Sequence, residues 1–297
     1  MAYRNNTLDI IFWDVQHGSA TYIKTPNGTT IAYDLGTGSL GENGNEFSPL
    51  FHLKQKYGLQ QLDEVIVTHP DFDHISHILQ FNNIYVRTLE RPTSIADAEI
   101  LEKLDLASDA HQKAIFQKYL DICHSYCHPT SPQQDPNRPE NNGGVTIQNY
   151  HPTPDIKTKR INNHSIVTLV TCAGCRILLT GDNETPSWNE LLHNSEFIRN
   201  VRGIDVFLAP HHGRESGFSK ELLDIIQPRL VIVSDGPLGN TSVTDYYSNR
   251  ARGWQVNHRL KQFSEDRYCV TTRKDGVILA KIGLKSNGST NLDISVD

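Results

Sequence analysis

The sequence predicts an α/β fold in which two mixed β-sheets pack between helical layers. Two observations carry this. Short runs rich in β-branched residues recur along the 297 residues, several of them ending abruptly in glycine, histidine or aspartate. Segments with helical spacing of apolar residues alternate with those runs in both halves of the chain, strands first and a helix after, and such faces are buried in a layered α/β domain.

Taken in order, Leu8 to Trp13, Ala20 to Lys24 and Thr29 to Tyr33 read as strands, the last two joined by the turn residues Pro26-Asn27-Gly28. A Gly/Asn loop begins at residue 39, and Ser48 to Tyr57 reads as a helix. Asp63 to Thr68 is a strand, and Ile75 to Phe81 a short helix with Ile75, Ile78 and Leu79 on one face. Residues 92–143 read as an insertion. Its text from Ser94 to Tyr126 forms one long helix or two shorter ones, followed by a Pro/Asn-rich stretch unsuited to regular structure. Such an insertion would cover the site, contact substrate, or bind a partner or a second copy of the chain. Strands resume at Val145 to His151, Ile166 to Val170, Arg176 to Leu179, Ile204 to Leu208 and Arg229 to Val233, with helices at 187–201 and Lys220 to Ile226. The C-terminal text reads as a hairpin about Lys274-Asp275-Gly276, and the polar tail from Ser286 as frayed.

Composition narrows the function. With 28 Lys+Arg against 34 Asp+Glu the net charge is −6, which excludes a non-specific nucleic-acid binder with a broad basic surface but leaves room for a metal-assisted nuclease. No apolar run is long enough to span a bilayer and MAYRNNTLDI lacks the pattern of a signal peptide, so a soluble cytoplasmic protein without membrane contact is expected. The five cysteines then favour free thiols. Cys172-Ala-Gly-Cys175 reads as a hairpin turn rather than a redox pair, and Cys123 and Cys127 with His124 and His128 as half a zinc site that lacks its second half.

The densest chemistry follows the strand Val65-Ile66-Val67. His69, Asp71, Asp73 and His74 offer four ligands for a divalent cation within six residues. Further candidates lie at His164 in Asn162-Asn163-His164-Ser165, at Asp182 after Gly181, and at His211 and His212. Imidazole and carboxylate without thiolate suit one or two zinc or manganese ions, and an aspartate such as Asp182 can bridge two of them. Because neighbours in an extended chain face opposite ways, only one of His211 and His212 is expected to bind metal: His211 as the ligand, His212 as the group protonating a leaving oxygen. Asp73 and His212 are the catalytic candidates. Asp14 and Asp34, each at a strand end near glycine, are expected to support the ligands. The isolated His17, His52, His77, His151 and His258 are expected on the surface or in packing.

Together THPDFDH, NNHS, LLTGD and APHHG resemble the metallo-β-lactamase superfamily, and within it the hydrolase domain of ComEC-type DNA-uptake proteins. Asp14 to Ala20 resembles that group's DVGQGDA opening, and His211 to Arg214 its HHGS-like motif. The resemblance spans residues 8 to about 284 outside the insertion. It implies a four-layer αββα sandwich over a single domain, with the site at one edge. It further implies that His69, Asp71 and His164 hold a first metal, Asp73 and His74 a second, with Asp182 between them. The chain departs from the family in carrying Gln16-His17 in place of Gly-Gln and Ser19 in place of Asp. A late motif beginning at Ser234 and running through Asn240 to Asp245 lacks its histidine, so Asp245, His211 or His212 would have to substitute, or a second metal site would be weak. The expected function is metal-dependent hydrolysis of a phosphodiester, in a nucleic acid or a nucleotide. The alternatives are an acyl hydrolase acting on a lactone or thioester, and a catalytically weak protein that holds a partner through the insertion.

Overall fold

Most of the β-branched runs become strands, and alternation along them decides which layer each side chain enters. The computed structural model describes residues 7–38, 47–154, 160–236 and 242–297. The Gly/Asn loop from residue 39 and Asn240 of the late motif therefore lie outside the described residues. The strands are β1 (Leu8–Phe12), β2 (Thr21–Lys24), β3 (Thr30–Tyr33), β4 (Gln61–Ile66), β5 (Tyr85–Glu90), β6 (Thr146–Tyr150), β7 (Val167–Cys172), β8 (Cys175–Leu179), β9 (Val206–Leu208), β10 (Leu230–Val233), β11 (Trp254–His258), β12 (Phe263–Arg267), β13 (Cys269–Thr271), β14 (Ile278–Leu284) and β15 (Thr290–Val296). The helices are α1 (Pro49–Lys56), α2 (Phe72–Ile75), α3 (Asp97–Leu106), α4 (Ala110–Ser125), α5 (Thr185–His193), α6 (Ser195–Val201), α7 (Lys220–Ile226), α8 (Thr244–Ser248) and α9 (Thr272–Asp275).

A nine-stranded sheet runs β12-β11-β15-β14-β1-β2-β3-β4-β5, and a six-stranded sheet runs β13-β10-β9-β8-β7-β6. Leu8, Ile10 and Phe12 of β1 point to the same core as Ile177, Leu230 and Ile232 of the other sheet, so the sheets pack face to face. Ile11 points the other way, into a cluster with Leu50 and Leu53 of α1 and Ile115, Phe116 and Tyr119 of α4. Val231 and Val233 likewise leave the inter-sheet core and meet Trp188, Phe197, Leu222 and Tyr247 of α5 to α8. The period of two in the strands thus builds a four-layer αββα sandwich. No helix among the described residues is long and apolar enough to cross a membrane.

Several elements differ from the sequence reading. The expected helix over Ile75 to Phe81 is split into α2 and a 3-10 turn at Ile78–Asn83, and the edge strand β5 follows where no strand is expected. The stretch read as an insertion supplies α3 and α4, and α4 buries Ile115, Phe116, Tyr119, Leu120, Ile122 and Cys123 against the sheet, so α4 belongs to the helical layer. The stretch 187–201 is broken at Asn194, whose side chain accepts the Glu196 and Phe197 N–H groups and caps α6. Lys274-Asp275-Gly276 does not make a hairpin. β13 pairs with β10 in one sheet and β14 with β1 and β15 in the other, and the one-turn helix α9 carries the chain between them. Asp275 holds that turn by accepting the Thr271 N–H and the Arg267 guanidinium. Nor is the tail frayed: β15 lies between β14 and β11, with Ile294 and Val296 buried. Asn291, Asp293 and Ser295 alternate with the apolar residues and give the tail its polar look.

Cys172-Ala-Gly-Cys175 is the expected hairpin. Ala173 and Gly174 both have positive φ, and the two thiols are free and buried in the inter-sheet core. Strands β1, β3, β4, β8, β9 and β10 all run toward one edge of the sandwich, because β3 and β4 are parallel, β8 to β10 are parallel, and two antiparallel steps relate β1 to β3. The loops that leave this edge carry most of the candidate ligands.

Candidate metal centre

Thr68 follows β4, and the loop after it turns at Pro70 into α2. This brings His69 and His74 together, with ring centroids 4.2 Å apart. Asp34, just past β3, orients both rings. Its Oδ2 accepts His74 Nδ1–H at 2.8 Å and the Thr68 hydroxyl at 3.0 Å, and its Oδ1 accepts the Thr68 N–H at 2.8 Å. The Thr68 oxygen in turn lies 3.1 Å from His69 Nδ1, so both Nδ1 atoms are engaged and both Nε2 atoms face the site. Asp34 does this from a left-handed backbone, φ 59°. It performs the supporting role expected of it, while Asp14 only caps its own turn through the Gln16 N–H at 3.1 Å.

Asp182 comes from the other sheet, after β8. Gly181 beneath it has φ +54°, and a Cβ there would sit 2.8 Å from Thr68 Cβ and 2.9 Å from Ser165 Cβ, so only glycine lets the two loops close on each other. The Asp182 N–H donates to Ser165 Oγ at 3.1 Å. Its Oδ1 lies 3.1 Å from His74 Nε2, and its Oδ2 lies 3.9 Å from His69 Nε2 and 3.6 Å from His212 Nε2.

The order of the histidine pair reverses the expectation. His212 is buried, donates Nδ1–H to the Ser234 carbonyl at 3.0 Å, and aims Nε2 at Asp73 Oδ2, 3.2 Å away. His211 stands at the rim, with Nδ1 2.8 Å from Ser216 Oγ and 3.3 Å from Glu184 Oε1. The cause is the backbone. His211, His212 and Gly213 have φ of 50°, 53° and 72°, a left-handed turn and not the extended chain assumed from sequence. The turn is held by His211 N–H to Gly181 O, Gly213 N–H to Pro210 O and Val243 N–H to Gly213 O.

Among the described residues two groups have ligand atoms mutually within 4.8 Å: His69, His74 and Asp182, and next to them His17, Asp73 and His212. His17 is the residue that sequence reasoning set aside. Its loop is pinned to the 71–74 loop by Ser19 N–H to Asp73 O and by Gly36, where a Cβ would meet Asp73 O at 2.4 Å; Asp73 Oδ2 lies 3.5 Å from His17 Nε2. The one available signal was its place in the opening motif. Asp71 stands a step out, Oδ2 3.5 Å from His69 Nε2 and Oδ1 2.5 Å from Lys103 Nζ of α3. His164 belongs to neither group. It ends a 3-10 turn, Ile161–His164, and its Nδ1 lies 2.9 Å from Ser94 Oγ. Its neighbours Asn163 and Ser165 instead brace Glu184 and Asp182. Asp245 lies in the first turn of α8 outside both groups, and the cysteines of the half zinc site take no part: Cys123 is a buried residue of α4 and Cys127 is exposed.

The residues present fit a cation. The Nε2 atoms of His69, His74 and His212 are buried and make no hydrogen bond, although carboxylate oxygens lie 3.1–3.9 Å away. Burial alone would raise Asp182, but His74 and His212 outweigh it and hold its carboxyl well below the usual range; His212 and His74 do the same for Asp73. Burial opposes a charged His74, yet Asp182 and Asp34 lift it well above the ordinary imidazole value. Asp71, despite burial, is lowered to about 2 by His69 and Lys103. Carboxylates pushed down beside imidazoles pushed up mark a point that calls for positive charge, which protons or a divalent ion can supply. A cleft of about 300 Å³ opens beside it, lined by Lys103, Arg160, Ile161, Asn162, Glu184 and His211.

The family model of the metallo-beta-lactamase superfamily matches residues 13–234, three quarters of the chain and nearly all of this centre. The chain belongs to the metallo-beta-lactamase superfamily. Recombination protein 2 of Haemophilus influenzae is 30% identical over 227 residues, covering 75% of this chain and 24% of that protein. ComE operon protein 3 of Bacillus subtilis is 27% identical over 184 residues, covering 60% of this chain and 20% of that protein. The chain thus spans about a quarter of the length of the curated relatives it matches. Among solved structures it is similar to the metallo-beta-lactamase fold protein YhfI from Bacillus subtilis, at 13% identity and a TM-score of 0.45 over 92% of this chain and 99% of that one. Both the superfamily and the likeness to ComE-type proteins agree with the motifs quoted from the sequence.

Proposed function

We propose that this metallo-beta-lactamase superfamily member is a metal-dependent hydrolase of phosphodiesters, with a nucleic acid or a nucleotide as substrate. The observation that carries the reading is the convergence of the unpartnered Nε2 atoms of His69, His74 and His212 on the Asp182 carboxylate. These four residues would hold a zinc or manganese ion, with His17 and Asp73 able to take a second beside His212. A divalent cation supplies Lewis-acid polarisation of a phosphoryl oxygen and a water acidic enough to ionise near neutral pH.

The chain's own groups do the remaining work. Asp34 and Thr68 keep the His69 and His74 rings turned toward Asp182. When no second ion occupies the outer group, Asp73, ionised and partly exposed, is the proton acceptor, with its Oδ2 facing both buried His212 and half-exposed His17. Support for nucleic acid comes from the relatives, one of which is named a recombination protein.

Purified protein supplied with manganese or zinc is expected to hydrolyse at least one member of a panel of DNA, RNA, nucleotides and bis(p-nitrophenyl) phosphate. Asp73→Ala should lower that rate by roughly 10²- to 10⁴-fold, the usual worth of a general base. No turnover of any phosphodiester, together with turnover of a lactone or thioester, would sink the reading.

A further inference from the structure

Among the described residues, three cationic side chains near the centre have carboxylate partners. Lys103 pairs with Asp71, Arg160 with Glu184, and Arg273 with Asp235 at 3.3 Å. Arg214 is different. Its Nη2 lies 3.3 Å from His17 Nε2 and its Nη1 3.4 Å from His211 Nε2, and its Nε is buried without a hydrogen-bond partner. Among the described residues no carboxylate lies within 4.0 Å of this guanidinium, so it makes no direct ion pair. Burial lowers both imidazoles, and His212 and Arg214 add to it.

A half-buried guanidinium with no ion-pair partner and a buried Nε without a hydrogen bond has donor capacity that a ligand can complete. The backbone fixes it in place. Arg214 N–H bonds His211 O at 2.9 Å, and Arg214 bridges to Ser242 at the end of the left-handed turn. Its fork therefore spans the rim between His17, which touches Asp73, and His211, which lies 3.8 Å from Asp182. Planar paired N–H donors of this kind match two oxygens of a phosphoryl group.

We propose that Arg214 grips the non-bridging oxygens of the phosphoryl group at the rim of the centre and so selects a phosphate-bearing substrate over an uncharged ester. The role rests on the phosphodiester reading above, and a binding measurement separates the two. Inorganic phosphate is titrated by calorimetry into the manganese-loaded full chain and into R214Q and R214K. Phosphate affinity should fall about ten- to hundredfold in R214Q, as expected for a lost pair of charge-assisted hydrogen bonds, and recover in part in R214K. R214Q should meanwhile keep at least the wild-type metal content and thermal midpoint.

If R214Q does not fold, the wild-type protein decides. The Arg214 Nε–H resonance, assigned by its absence in R214K, should move on phosphate addition. Equal phosphate affinity in wild type and R214Q, no wild-type binding at millimolar phosphate, or an unmoved Nε–H resonance would each overturn the assignment. Phosphate held through Arg214 by a protein that cleaves no phosphodiester would refute the proposed reaction and leave the grip standing.

Discussion

Asp34 touches no ligand group directly except His74, yet it sets the direction of two rings, through His74 Nδ1 and through Thr68 to His69. Asp34→Asn keeps the shape but removes the charge and one acceptor, so metal affinity should drop about 10- to 100-fold in a competition titration with a chelating dye. An unchanged affinity would mean that the rings are held by packing alone. A second residue gives a pH test away from the centre. Glu64 is buried in β4 with Oε2 unpartnered, and burial, followed by Glu90, raises its carboxyl to about 8. The folded chain therefore keeps a proton that the unfolded chain releases between about pH 4.5 and 8. The stability from this group is complete below about 4.5 and is lost as pH rises through 8, at up to roughly 1.4 kcal/mol per pH unit. Denaturant titrations should find Glu64→Gln close to wild type near pH 5 and more stable near pH 8; parallel curves for the two proteins would contradict this. At this scale the sequence was legible where ligands are neighbours, as in His69 to His74. His17 was not, because its place depends on backbone contacts of Gly18, Ser19 and Gly36 with Asp73.

Among the elements, the strands with apolar runs were legible and those with polar edges were not. β12 reads Phe-Ser-Glu-Asp-Arg and is largely exposed, which is how an edge strand avoids pairing with other chains. β15 was hidden by its polar alternates, although Ile294 and Val296 close the inter-sheet core. Ile294→Ala should cost about 2–5 kcal/mol in chemical denaturation, the range for a fully buried aliphatic side chain; a cost below about 1 kcal/mol would return the tail to a frayed one. The false hairpin at Lys274-Asp275-Gly276 has the same lesson. Turn residues were correct locally, but pairing partners of β13 and β14 lie in different sheets, which only the tertiary register decides.

For the molecule as a whole, the centre is divided between the sheets. The nine-stranded sheet delivers His17, Asp34 and the His69–His74 loop, and the six-stranded sheet delivers Asp182 and His212. Layer order followed from the strand and helix pattern visible in the sequence, and the place of the site at one edge from the family resemblance. The reversal of His211 and His212 did not, since three successive left-handed residues leave no periodic signal. Both halves of the chain would share one cation-binding centre, with Asp182 joining them. Elemental analysis of the protein after loading with manganese or zinc and desalting tests this most directly, with Asp182→Asn as the comparison. The wild-type chain should retain about one divalent ion or more, and Asp182→Asn should lose most of it with the circular dichroism spectrum retained. A wild-type chain that retains no metal, or an Asp182→Asn chain that retains as much as wild type, would contradict it.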